Sequence, residues 1–248
     1  NNKLNVELIF IDDMCPNNSK DIVIKTFENH RDKIRNGLGK ILYNVENKGY
    51  GASCNAGADI AKGKYLIFLN ADTRVTPGWI KPIYDLFESD NNIGIIGNLQ
   101  IKEGGTWNNS IDGAGSQWLW RHNSFLHIGR HVYNYQELSA PFMLDAIPDD
   151  LLQVSEREMV TGCCLAIRSD INKDLGGYNP NYLIGYWEDS DLCLSVREKG
   201  YKIMYQPNSR IYHKLGHTNS GRHSFHEHNI KFFTNKWINT GRIDEFIA

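Results

Sequence analysis

The chain of 248 residues is 41% hydrophobic and 23% charged, enough apolar content for one large α/β domain or two small ones with a real core. Its 27 Lys and Arg stand against 29 Asp and Glu, a net charge of -2, so no global positive field argues for wrapping nucleic acid. No apolar run approaches the ~20 residues that span a bilayer, and NNKLNVELIF lacks a basic stretch with a cleavage signal. The cysteines Cys15, Cys54, Cys163, Cys164 and Cys193 lack the paired spacing of a zinc site or disulfide framework. A soluble, cytoplasmic protein with reduced thiols is expected, and peripheral contact with the inner face of a membrane is left open.

Short apolar runs open the chain: NVELIFIDD, KILYNVE, KYLIFLNAD and IGIIGNLQI. Rich in Ile, Leu, Val and Phe and bounded by Gly, Asn and Asp, they predict buried strands of a mainly parallel sheet, with crossover helices at 19–35, 51–62 and 77–90. In such a sheet ligands gather beyond the carboxyl ends of the strands, where Asp12, Asp13 and the tripeptide Asn70 to Asp72 fall.

From residue 102 to about 158 the periodicity fails and Gly, Trp, His and Asn dominate. A stretch this long predicts a functional loop or insertion with little regular structure. Beyond it EMVTGCCLAIRSDI predicts a strand, 188–199 a helix, YKIMYQP a strand, and SFHEHNIKFFTNKWI a C-terminal helix.

Three motifs carry chemistry. Asp72 at a strand's end can hold a hard divalent cation, although an Asx turn before Pro77 explains the same residues. NKGYGASCNAG begins with G-x-G, but Cys54 interrupts the dinucleotide fingerprint, and its small residues suit close helix–sheet packing equally well. In GYWEDSDLCL, the carboxylates Glu188, Asp189 and Asp191 suit either a helix N-terminus or a catalytic base.

Taken in order, LIFIDD, NKGYGASCNAG, YLIFLNADTRVTPGWI, TGCCLAIRSDI, GGYNPNYLIGYWEDSDLCLSVREKGYKIMYQP and IYHKLGHT resemble family 2 glycosyltransferases of the GT-A fold, particularly bacterial rhamnosyl- and galactofuranosyltransferase-like members. The resemblance implies one glycosyltransferase domain over 1–248, with a nucleotide-sugar half at 1–101 and an acceptor and catalytic half at 102–248. It implies that Asp12 lies against the base or ribose with Asp13 beside it, and that Asn47, Gly51, Asn55, Asn70 and Asp72 complete the donor side. Asp72 and His213 would hold Mg2+ or Mn2+, with Asn70 replacing the first carboxylate of the D-x-D pattern. Asp189 falls on the catalytic base, with Glu188 orienting the acceptor and Asp191 capping the helix or bonding to a backbone donor.

Aromatic rings pack on the CH faces of sugars, so Trp118, Trp120 and Trp187 are the expected acceptor wall. The implied partners are a UDP- or dTDP-sugar donor and a glycan or lipid-linked glycan acceptor, with homo-oligomerisation left open. Members of the family usually open with one further apolar strand and turn. Its absence from these residues predicts an unpaired edge or gap between the strands beginning near Val6 and Tyr65, filled by a swapped or upstream segment. A non-catalytic nucleotide- or glycan-binding domain is the main rival, and a dinucleotide-dependent oxidoreductase a second.

Overall fold

The computed structural model describes residues 4–17, 19–30, 39–214 and 222–247, with backbone alone at 222–224. The end of the helix expected over 19–35, and His217 of IYHKLGHT, lie outside them. The first elements alternate strand and helix: β1 (Leu8–Asp12), α1 (Ser19–Asn29), β2 (Gly39–Tyr43), α2 (Tyr50–Ile60) and β3 (Tyr65–Leu69). Next come β4 (Thr73–Val75), α3 (Ile80–Ser89) and β5 (Ile93–Lys102). The insertion holds β6 (Ile111–Gly113), β7 (Ser116–Leu119), β8 (Ser124–His127), β9 (Val132–Tyr133), β10 (Gln136–Glu137) and β11 (Ser155–Glu156). After it follow β12 (Cys164–Arg168), α4 (Ser169–Leu175), α5 (Glu188–Glu198), β13 (Lys202–His213) and α6 (Arg222–Phe233), which runs into a π-helical turn, Thr234–Ile238.

The expected α/β class holds, with a central sheet flanked by helices. Its strand order is β11-β13-β5-β12-β3, with β4 on β13 and β6 on β5. The parallel character needs correction, because within this sheet only β5 and β13 pair in parallel, and β12 runs antiparallel to both β3 and β5. Apolar runs buried on both faces look alike in either sense, so the sequence pattern does not fix direction.

Strand β5 forms the centre. Ile95 faces Leu192, Cys193 and Val196 of α5, while Ile93 and Ile96 face Ile83 and Phe87 of α3. A side chain at Gly97 would put its Cβ 2.5 Å from Val160, so only glycine lets that segment close over the strand. Removing the wholly buried Phe87 ring is expected to cost ~3–5 kcal/mol.

The insertion is more ordered than its sequence suggested. Short antiparallel pairs β7–β8 and β9–β10 fold back so that Ile111, Leu119, Ile128, Val132 and Leu151 form a core with Leu99, Ile101 and Tyr205. Its turns use positive φ at Trp107, Asn109, Asn123, Asn134 and Tyr135, which interrupts any regular period. Among the described residues β1 pairs only with β2, and β3 only with β12, so the two strands are not paired with each other.

Candidate active site

Strand pairing brings Asp72 and His213 together. Strand β4 runs antiparallel to the end of β13 with Thr73 opposite His213, and Lys214 N–H donates to the Asp72 carbonyl at 2.9 Å. His213 Nε2 therefore lies 3.4 Å from Asp72 Oδ1, while its Nδ1 lies 2.8 Å from Asp112 Oδ2. Burial opposes a charge on His213, but hydrogen bonds to Asp112, Asp72 and Cys163 outweigh it and push the imidazole up to about 12. Burial likewise opposes ionisation of Asp112, and the His213 bond and the Arg130 charge overcome it, leaving the carboxyl below its usual range.

The pair fits a divalent cation. Neighbouring ligands of an octahedral ion at ~2.1 Å stand ~3 Å apart, close to the 3.4 Å between Asp72 Oδ1 and His213 Nε2. Carboxylate with imidazole suits Mn2+, and carboxylate with water and phosphate oxygens suits Mg2+. Among the described residues no group of three His, Cys, Asp or Glu side chains converges as a metal cage. A cation here would take its remaining ligands from water and a bound diphosphate. Asn70 sits on the same turn, its N–H donating to the Cys163 carbonyl at 3.0 Å and its carbonyl accepting from Thr73 Oγ1 at 2.7 Å.

The candidate base Asp189 lies in the first turn of α5. Its Oδ2 accepts from Gly162 N–H at 2.9 Å and its Oδ1 from Ser190 N–H at 2.8 Å. Burial raises its pKa more than these backbone bonds lower it, so the helix terminus does not hold it in the ordinary carboxylate range. Gly162 is also held by the Tyr50 hydroxyl, which donates to its carbonyl. The carbonyl of its neighbour Cys163 accepts from Asn70 N–H at 3.0 Å, on the turn that carries Asp72. The short segment TGCC thus links the base to the cation ligands.

On the donor side, Asp12 ends β1 and accepts from Cys15 N–H at 2.9 Å. Asp13 accepts from Asn44 Nδ2 and from the N–H groups of Lys48 and Gly49, all within 2.9 Å, so it organises the loop before α2. Asn47 accepts from Gly49 N–H at 3.1 Å in that loop. Gly51 is a packing residue, since a Cβ there would meet Tyr178 at 3.0 Å. Asn55 spends its amide on the backbone, donating to the Tyr178 carbonyl and accepting its N–H, both at 2.8 Å. The carboxylate and amide faces of Asp13 and Asn55 are therefore largely committed inside the protein.

The acceptor wall is smaller than expected. Trp118 is 1% exposed, meets Trp120 and Phe125 edge-on and stacks on Phe233, so it is a core ring and offers no face to a sugar. Trp120 is exposed, and Trp187 is half-buried against Phe233, its Nε1–H donating to His226 at 3.4 Å. Glu188 is buried, its stem near Gly51. Asp191 makes no backbone cap with its side chain; instead it accepts from Tyr182, Lys236 and Trp237 at 2.6–3.1 Å. Asp112, Arg130, Gly162 and Cys163 escaped the sequence reading, because nothing in the spacing of an aperiodic insertion ties Asp112 to a histidine 101 residues later.

The family model of Glycosyl transferase family 2 matches residues 1–176, and the chain belongs to that family. It is 26% identical over 188 residues to a putative polypeptide N-acetylgalactosaminyltransferase 13 of Drosophila melanogaster, covering 74% of this chain and 30% of the relative. To N-acetylgalactosaminyltransferase 7 of Mus musculus it is 24% identical, over 84% of this chain and 30% of the relative. The fold is similar to that of GalNAc-T7 solved with UDP, GalNAc and Mn2+ (TM-score 0.61, 22% identity, 85% of this chain and 38% of that one). It is also similar to a mannosyltransferase from Pyrobaculum calidifontis solved with GDP-Man and Mn2+ (TM-score 0.59, 14% identity, 95% of this chain and 55% of that one). The chain spans about a third of the length of these curated relatives.

Proposed function

We propose that the chain is a metal-dependent, inverting glycosyltransferase. It moves a hexosyl or deoxyhexosyl group from a UDP- or dTDP-sugar to a hydroxyl of a glycan or lipid-linked glycan in polysaccharide synthesis, on the cytoplasmic side of a membrane. The observation that carries this reading is the TGCC segment, which holds Asp189 through Gly162 N–H and the turn of Asn70 and Asp72, where His213 lies, through the Cys163 carbonyl. Family membership and nucleotide-sugar complexes of similar fold support a donor site of the same kind.

Asp189 accepts the acceptor's hydroxyl proton as that oxygen attacks the anomeric carbon, and the nucleoside diphosphate leaves from the opposite face, inverting the centre. Asp72 and His213 would hold Mg2+ or Mn2+, which supplies positive charge for the departing diphosphate. Asn70 contributes no charge, so half-saturation is expected at a higher cation concentration than in a site with two carboxylates. Asp12 and the Asp13 loop shape the nucleoside end, and Trp120 with Trp187 forms the acceptor side.

The rival reading, a non-catalytic nucleotide- or glycan-binding domain, is favoured by the internal commitment of Asp13 and Asn55. A thermal-shift panel of nucleotide sugars with Mn2+, followed by transfer and hydrolysis assays on each hit, separates the two. A donor at ~100-fold its Kd adds ~2.7 kcal/mol of stability. Stabilisation with turnover, abolished by chelator, is expected; stabilisation without turnover selects the binding module, and turnover undiminished by chelator removes the cation from the mechanism.

A further inference from the structure

We propose that Asp112 is a positioning residue for His213, so that the first strand of the insertion is a working part of the cation site. The proposal rests on the reading of Asp72 and His213 as cation ligands. Asp112 is 3% exposed in β6, a strand laid antiparallel on β5 with Ile111 opposite Ile101. Strand β5 in turn runs parallel to β13, with Lys102 opposite His213. Two adjacent ladders thus deliver the carboxylate to the ring. Its Oδ2 takes the Nδ1 side of His213 at 2.8 Å, and its Oδ1 takes Arg130 at 2.7 Å.

Once a cation displaces the Nε2 proton, an imidazole whose Nδ1–H is donated to a carboxylate offers one lone pair, on Nε2, in a fixed ring plane. Here that nitrogen faces Asp72. Without the carboxylate the ring is free to exchange tautomers and rotate, and the pair of ligands is no longer preset. Arg130, reaching from the turn between β8 and β9, occupies the second oxygen and keeps Asp112 from turning away. The insertion therefore closes over the sheet and also aims a ligand.

The test is Mn2+ titration of the folded chain, with free ion followed by electron paramagnetic resonance, on the wild type and on Asp112→Asn, Arg130→Gln, His213→Ala and Asp72→Ala. Asp112→Asn is expected to weaken Mn2+ binding by ~10–100-fold, the usual range for losing an outer-shell partner, with Arg130→Gln losing less. Nitrogen-15 spectra of the Mg2+-loaded wild type should show His213 protonated at Nδ1, and Asp112→Asn should show mixed tautomers. If His213→Ala and Asp72→Ala leave Mn2+ affinity unchanged, the cation reading itself fails. If those two weaken binding and Asp112→Asn does not, only the positioning role is overturned. Should Asp112→Asn lose its circular dichroism, the wild-type spectrum decides, and a proton on Nε2 in the loaded protein overturns the proposal.

Discussion

In the proposed reaction the half-buried carboxylate of Asp189 has to remain able to take a proton. Burial lifts its pKa while the Gly162 and Ser190 N–H groups hold the ionised form in place, which moves the group toward the pH range where a general base works best. Because the folded pKa lies above the unfolded value, ionised Asp189 costs stability, and that cost appears as pH rises through the folded pKa. In the proposed reaction transfer depends on the ionised form, so kcat/KM should fall on the acid side along an ionisation above the ordinary carboxylate range. A pH profile of the wild type measures it, and an acid limb at the usual Asp value would remove Asp189 from the step. Asp189→Asn should leave donor affinity near wild type and reduce transfer ~10²–10⁴-fold. Asp191→Asn separates the two carboxylates differently from a capping control. Buried and bonded to Lys236, Trp237 and Tyr182, Asp191 should lose about 3 kcal/mol of stability on neutralisation, read as a lower melting temperature. Residual transfer per folded molecule should stay far above that of Asp189→Asn.

The segment between α4 and α5 shows how one element sets another. Ile184, Tyr186 and Trp187 all take positive φ, at 60°, 77° and 74°, each an arrangement costing ~1–3 kcal/mol in a non-glycine residue. Asn229 of α6, wholly buried, holds them: its Oδ1 accepts Leu183 N–H, and its Nδ2 donates to the carbonyls of Leu183, Gly185 and Tyr186. From the other side Tyr50 N–H donates to the Ile184 carbonyl, and a Cβ at Gly49 would sit 2.4 Å from Ile184 Cα. Asn229→Asp keeps the acceptor and removes the two N–H donors that the carbonyls of Leu183, Gly185 and Tyr186 share. It should lower kcat at least tenfold by releasing the strained turn that starts α5, with a smaller change in donor KM; steady-state kinetics of the purified variant checks it, and an unchanged kcat would show that the turn holds itself. None of this was legible in the sequence. Helix α5 was visible from its apolar period and acidic first turn, and the ordered motifs singled out Asp72 and His213, which the structure brings together. The clamp depends on an asparagine 42 residues beyond Trp187 and on backbone angles that residue type does not announce. Trp118 went the other way: its residue type suited a sugar platform, and only packing shows it closed.

On the scale of the whole molecule, stability is unevenly distributed. Strands β5 and β12 lie between neighbours on both sides, and their residues are almost wholly buried. By contrast β1, α1 and β2 contain no buried residue, and Val6, Leu8, Met14, Ile22, Tyr43 and Val45 are 44–91% exposed. The link to the main sheet runs through α2, where Gly57 admits Ile11 on one side and Cys54, Ala58 and Ala61 reach the main core on the other. Alternating strand and helix made this unit legible in sequence; its detachment from β3 is a tertiary fact that followed only from comparing it with the family's pattern. Few buried contacts and, among the described residues, a strand edge of β1 with no paired neighbour mean a low free energy of local opening. Native-state hydrogen exchange of residues 1–248 should therefore find the β1 amides of Leu8–Asp12 exchanging through a local opening at least 100-fold faster than those of Ile95 to Leu99 in β5, which exchange by global unfolding. Nucleotide-sugar binding at Asp12 and the Asp13 loop should slow the β1 amides and leave β5 little changed, because a ligand protects the opening it blocks. If the β1 and β5 amides share one exchange free energy without ligand, the unit is as firmly built in as the core, and the gap beside β3 has no energetic consequence.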